Sequence, residues 1–278
     1  MPAPNVIAAE KLLRLIGLPT APLILDVRTP SEGLSDWQLI PGSIPFPLAD
    51  ADLPATRRVV VACADGGAHS QSVAALLRQR GIAAEVLEAG LTGWADAGLP
   101  RIPAGALPPR DAMGRTLWVT RARPKVDRIA CPWLIRRFVD PLAAFLFVPP
   151  SDVLGVASRL GAEPFDIEGD GVRWSHAGDD CSFDALLHGL GLAGFDALAR
   201  LAIIVRGADT GQPGLAPEAA GLLAISLGLS RLFDDDHGQL EAGMLVYDAL
   251  YRWSRDATTE THDWVSHQPA ATRAKPRP

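Results

Sequence analysis

Short apolar runs alternating with amphipathic ones set the rhythm of the first hundred residues. Residues 22–28 (PLILDVR), 58–63 (RVVVAC) and 84–88 (AEVLE) are strand-sized and aliphatic. Between the last two, residues 70–80 place Val73, Ala74, Leu76 and Leu77 on one helical face and halt at Gly81. Strand, helix and strand in this order predict a parallel α/β sheet with its working loops at the C-terminal strand ends. Further on, 117–121 and 144–148 read as strands flanking a helix over 128–139. The remainder is mostly helical, over 183–190, 195–205, 217–232 and 239–255. This predicts a second, α+β domain with a helical C-terminal half. The segment GLPRIPAGALPPR at 98–110 has four prolines, two glycines and no period, which reads as a linker. The expected division is a domain over 1–100, a linker over 101–112, a domain over 113–256 and a tail over 257–278 that includes His262 and His267.

The chain has 278 residues, 48% of them hydrophobic and 21% charged, which suits two ordinary folded domains rather than a disordered or fibrous protein. The N-terminus lacks the pattern of a secretory signal, and the longest apolar stretches, such as 143–149, are too short to span a bilayer. A cytoplasmic protein with no membrane partner is expected. Three widely spaced cysteines argue against a disulfide scaffold. The net charge of −6 conceals a basic block, since residues 111–140 hold seven basic and three acidic side chains. From 141 onward the balance reverses, with ten basic and nineteen acidic residues. One positive site for an anion fits this pattern better than a broad nucleic-acid surface, and DNA binding stands as a weaker alternative.

Cys63 ends the second apolar run and is followed by ADGGAHS and a helix. A chain leaving a buried strand for a helix through two glycines turns successive amide N–H groups towards one point, which suits an anion. The same amides are expected to favour thiolate over thiol at Cys63, with Gly66 and Gly67 supplying positive φ without a Cβ clash. His69 can add a charge that switches near neutral pH. A buried cysteine beside an ordinary glycine turn explains this spacing equally well.

Together with DVR at 26–28, IPGSI at 40–44 and EAGLTGW at 88–94, this loop makes residues 5–100 resemble the single-domain rhodanese family. The resemblance implies a sulfurtransferase-like domain in which Cys63 is the nucleophile, carries sulfur as a persulfide and needs no cofactor. Asp26 and Arg28 would support it, or form an internal ion pair that shapes the loops. Rhodanese loops usually carry an arginine five residues after the cysteine, where this chain has Ala68, and Asp65 adds negative charge beside the cradle. Both departures weaken thiosulfate binding. The loop is also one residue longer than common, as in variants shaped for larger oxyanions.

The basic block gathers Arg121, Lys125, Arg128 and Arg136 around one turn and helix, with Asp127 as the expected helix cap. With Arg206 they form the expected set for a tetrahedral dianion such as sulfate, phosphate or chromate. A solvated face with internal ion pairs is the competing reading. A second cluster, FDIE at 165–168 and WSHAGDDCSFD at 174–184, mixes imidazole, carboxylate and thiol. It suggests a divalent metal held by His176, Asp179 and Asp184, with Glu168 or Asp209 arriving from elsewhere. The spacing fits no standard zinc signature, and Asp180 or Ser182 as a helix cap with a structural His176 explains it almost as well. Tyr247 and Tyr251 stand at packing positions.

VDRIACPWLIRRFVDP at 126–141, HAGD at 176–179, CSFD at 181–184, IVRGADT at 204–210 and YDALY at 247–251 make residues 115–255 resemble the C-terminal domain of the chromate-resistance ChrB family. The resemblance implies a part in chromate detoxification, as an anion handler or as a sensor controlling efflux. The combined expectation is a sulfurtransferase-like and chromate-resistance fusion, with Cys63 chemistry coupled to an oxyanion- or metal-responsive domain. A non-enzymatic sensor or transcriptional regulator is the alternative.

Overall fold

The computed structural model describes residues 5–28, 37–45 and 57–260; His262 and His267 lie outside them. The N-terminal sheet contains β1 (Val6–Ile7), β2 (Leu23–Asp26), β4 (Ser43–Pro45), β5 (Val59–Ala62) and β6 (Ala84–Leu87), all parallel in the order β1-β6-β5-β2-β4. A short antiparallel pair joins β3 (Gln38–Leu39) to β7 (Ile102–Pro103). Helices α1 (Ala9–Leu13), α2 (Ala68–Gln79) and α3 (Gly90–Asp96) complete this part. Both faces of the sheet are covered, which explains why its central strands read as unbroken apolar runs. Leu23, Leu25, Val59 and Val61 pack with Val73, Ala74 and Leu77 of α2, while Ile24, Val60 and Ala62 face the opposite side.

The second part is built on a three-stranded parallel sheet, β10-β8-β9, from β8 (Leu117–Arg121), β9 (Ala144–Val148) and β10 (Glu163–Pro164). Helix α4 (Asp127–Leu134) widens into a π-helical turn over Ile135–Val139. Then follow α5 (Val153–Leu160), α6 (Ser182–Gly189), α7 (Asp196–Asp209), α8 (Ala219–Leu232) and α9 (Asp236–Asp256). The architecture is therefore a parallel α/β unit followed by an α+β, mostly helical one.

Residues 101–112, read as a linker, are structured: Ile102 is buried in β7, and Ala104 donates its N–H to the Trp37 carbonyl. Tight packing continues across the boundary. Ile7, Leu12 and Ile16 share one core with Trp133, Phe138 and Tyr251. At Gly17 (φ +83°) a Cβ would strike the rings of Phe138 and Tyr251. Among the described residues no helix is long and apolar enough to cross a membrane.

Candidate functional site

Cys63 follows β5 directly and is buried. Its Sγ lies 3.1 Å from Ser70 Oγ and 3.3 Å from Asp65 Oδ1, and Asp65 also accepts the Gly67 N–H at 2.8 Å. Part of the cradle expected for an external anion is thus taken by the chain's own carboxylate. These bonds, Gly67 first and Cys63 second, hold Asp65 below the usual carboxylate range. Only Gly66 uses positive φ (+72°); Gly67, the N-cap of α2, sits at φ −81°. His69 is exposed on the first turn of α2. Gly90 explains the EAGLTGW motif, because a Cβ there would meet the Cys63 carbonyl as α3 is tied down by Leu91 N–H to Cys63 O.

Asp26 and Arg28 form a buried bidentate ion pair, with Nε–Oδ1 at 2.9 Å and Nη2–Oδ2 at 2.5 Å. The guanidinium also donates to the Gln38 carbonyl at 2.8 Å and stacks over Trp37. Its bonds run to the loops around β2, in keeping with a shaping role.

A different convergence occurs at the C-terminal edge of the β10-β8-β9 sheet, where parallel sheets place their ligands. His176 Nε2 lies 3.3 Å from Asp127 Oδ2, 3.4 Å from Asp166 Oδ1 and 3.2 Å from Asp209 Oδ2. Each acid comes from a separate element: Asp127 opens α4, Asp166 follows β10, and Asp209 ends α7. Arg121, at the end of β8, and Arg128 both pair with Asp166, at 2.7 and 3.0 Å. Ser182 adds an O–H to Asp166 at 3.1 Å and an N–H to Asp127 at 3.3 Å. The cluster opens into a pocket of about 560 Å³ bounded by Arg121, Glu168, Ser175 and His176. A neighbouring one of about 340 Å³ is lined by Lys125, Arg128, Asp209 and the apolar Leu223 and Leu227.

The charges are unevenly matched. Arg121 and Arg128 both face Asp166, so although three cationic groups stand against three acids in number, Asp127 and Asp209 share one imidazole between them. The bond to Asp127 raises His176 to about 9 against the opposing cost of burial. Burial, then the charges of Asp127 and Asp166, raise Asp209 to about 7. Asp166 is raised by burial and by Asp127. A divalent cation relieves this crowding directly. Ligands about 2.0–2.1 Å from a tetrahedral ion lie about 3.3–3.4 Å apart, close to the separations around Nε2, and ligand atoms of Asp127, Asp166 and His176 all fall within 4.8 Å of one another. One imidazole with several carboxylates suits zinc or manganese.

Of the metal set expected from sequence, His176 and Asp209 come together. Glu168 stands at the pocket rim, and Asp184 is turned away, with Arg206 on its carboxylate at 2.8 Å and the Cys181 N–H at 3.1 Å. Asp179 lies on the tight turn between Ala177 and Asp180, outside the cluster of converging ligand atoms. The cap of α6 is Cys181, boxed by Asp184, rather than Asp180 or Ser182. The anion set also divides. Arg121, Lys125 and Arg128 border the pockets; Arg136 is drawn to Glu241, and Arg206 to Asp184 and Asp180. Asp127 and Asp166 were not legible as ligands: the first looks like a helix cap, although the cap position is Val126, and the second is masked by Glu168 two residues on. The available signal for Asp127 was a lone acid inside a basic stretch; for Asp166 it was an acid two residues past a short strand.

Val126, just before Asp127, has φ +37° and ψ −101°, a conformation costing about 1–3 kcal/mol for a β-branched residue.

Sequence comparison agrees with this two-part architecture. Residues 8–97 match the family model described as rhodanese-like domain, and residues 118–254 match ChrB, C-terminal domain. Each match falls on one part of the fold, the first on the parallel α/β unit and the second on the α+β one. Among characterised relatives, Protein ChrB of Cupriavidus metallidurans is 39% identical over 162 residues, covering 55% of this chain. The match spans 46% of that protein's length. Similar solved structures include a rhodanese-related protein from Thermoplasma volcanium (25% identity, TM-score 0.28, 35% of this chain and 97% of that one). Another is a rhodanese-like domain protein from Staphylococcus aureus (28% identity, TM-score 0.29, 34% and 95%).

Proposed function

We propose that this protein takes part in chromate resistance as a metal-dependent oxyanion-binding protein whose working site is the His176 cluster. Asp127, Asp166, Asp209 and His176 hold a divalent cation, and Arg121, Lys125 and Arg128 attract a chromate- or sulfate-like anion to it. The observation that carries this reading is the convergence of three carboxylates from three elements on one imidazole nitrogen. The ChrB-type match over 118–254 supports the choice of anion class. Elemental analysis of protein purified without an affinity tag, followed by calorimetric titration with manganese, zinc and then chromate, tests it. The expected result is one equivalent of metal, lost in His176→Ala, with chromate binding that requires the metal and weakens in Arg128→Ala. Wild-type protein that takes up neither metal nor anion sinks the reading.

A second activity is favoured by Cys63 at the N-terminus of the 12-residue helix α2, beside Ser70. Sulfur transfer through a Cys63 persulfide predicts sulfane sulfur on Cys63 by mass spectrometry after incubation with thiosulfate or 3-mercaptopyruvate. It also predicts cyanide-dependent turnover that Cys63→Ser abolishes. Equal background rates for both proteins would remove it.

A further inference from the structure

The loop from β8 to α4 follows a course that its own residues do not favour. Val126 is β-branched at φ +37°, and Arg123 is at φ +59°. Both departures are answered by side chains from α8 and α9. Ser226 accepts the Val126 N–H at 2.8 Å, and Tyr247 donates its hydroxyl to the Val126 carbonyl at 2.7 Å. Gln239 donates to the Pro124 carbonyl at 2.5 Å. The Arg123 N–H reaches the Asp236 carboxylate at 3.1 Å, and its guanidinium reaches the carbonyls of Ser230 and Phe233.

The composition of α8 points the same way. Ser226 and Ser230 are buried, whereas Ile225 and Leu232 are exposed. A helix serving packing alone turns its aliphatic side inward; α8 buries Ala219 and Leu222 in its first turns but two hydroxyls further on, and one of them meets the loop backbone.

We propose that α8 and α9 clamp this loop, and that Ser226, Gln239 and Tyr247 are positioning residues which aim Asp127 at His176. The inference rests on the cation reading above. Asp127 is the next residue after Val126, so relaxation of Val126 to negative φ rotates the Asp127 carboxylate away from Nε2. The polar groups of the clamp are therefore a second layer of the site, holding a ligand in place without touching the ion.

The test uses full-length Tyr247→Phe and Ser226→Ala, with Tyr251→Phe as the control; Tyr251 is also a buried α9 tyrosine but packs on Trp133 and Phe138. Two quantities are read: hydrogen exchange of residues 121–127 in chelator-treated protein, and manganese affinity from the electron paramagnetic resonance signal of the free ion. The clamp predicts at least tenfold faster loop exchange and about tenfold weaker manganese binding in both loop variants, with Tyr251→Phe like wild type in both. Unchanged loop exchange in both variants overturns the proposal. So does equal loosening by Tyr251→Phe, which would mark a general loss of packing. If wild-type protein binds neither manganese nor zinc, the cation reading fails by itself, and loop exchange still decides the clamp.

Discussion

Asp65 illustrates how one side chain sets what a site accepts. Its carboxylate holds the Gly67 amide and stands 3.3 Å from Cys63 Sγ, so an incoming thiosulfate meets a fixed negative charge. Like charges repel, and at an exposed carboxylate solvent weakens that repulsion. Asp65→Asn is therefore expected to lower the thiosulfate KM by roughly two- to fourfold, as measured by cyanide-dependent thiocyanate formation. His176 and Asp209 make the metal-free protein sensitive to pH. His176, raised from 6.5 to about 9, contributes stability that is complete below pH 6.5 and lost as pH climbs through 9. Asp209, raised from 3.8 to about 7, keeps its proton longer in the fold than in the unfolded chain, so stability also falls as pH climbs from 3.8 through 7. The thermal midpoint of chelator-treated protein should decline across this range. Asp209→Asn should flatten the lower part of the decline and His176→Ala the upper part; a flat or rising wild-type profile would contradict the assignment.

The longer elements were legible in the chain because their periods are strong. Residues 59–62, 117–121 and 144–148 form strands within the predicted segments, and the predicted helices correspond to α2, α4, α6, α7, α8 and α9. The two-residue strands β1, β3, β7 and β10 have no period to detect, and their pairing depends on partners distant in sequence. The site was half legible for a related reason. His176 and Asp209 stand out by residue type, but Asp127 and Asp166 reach His176 only through the tertiary fold, in which β8 and β10 pair. Asp184 shows the converse: a carboxylate that looks like a ligand in the sequence closes the cap of α6 and ties it to Arg206 on α7. Removing one partner of such a buried pair costs about 3–5 kcal/mol. Asp184→Ala should reduce the free energy of urea unfolding by about that amount, whereas Asp179→Ala, on an exposed turn, should leave it nearly unchanged.

At the scale of the molecule, the two domains share one core rather than hanging on a flexible joint. Gly17 in the first packs on Phe138 and Tyr251 of the second, and Arg255 donates to the Arg14 carbonyl at 2.9 Å. Gly17→Val combines an unfavourable φ with a clash, and should cost about 2 kcal/mol or more. Calorimetry should show one unfolding transition in wild type and two in the variant. The shared core also means that events at the His176 cluster and at Cys63 occur within one packed body. The central claim is that this cluster holds a cation. Anomalous diffraction from crystals grown with zinc tests it most directly. The account predicts one peak about 2.0–2.2 Å from His176 Nε2 and from carboxylate oxygens of Asp127 and Asp166. A structure with no peak there, and with the imidazole still hydrogen-bonded to these acids, would contradict it.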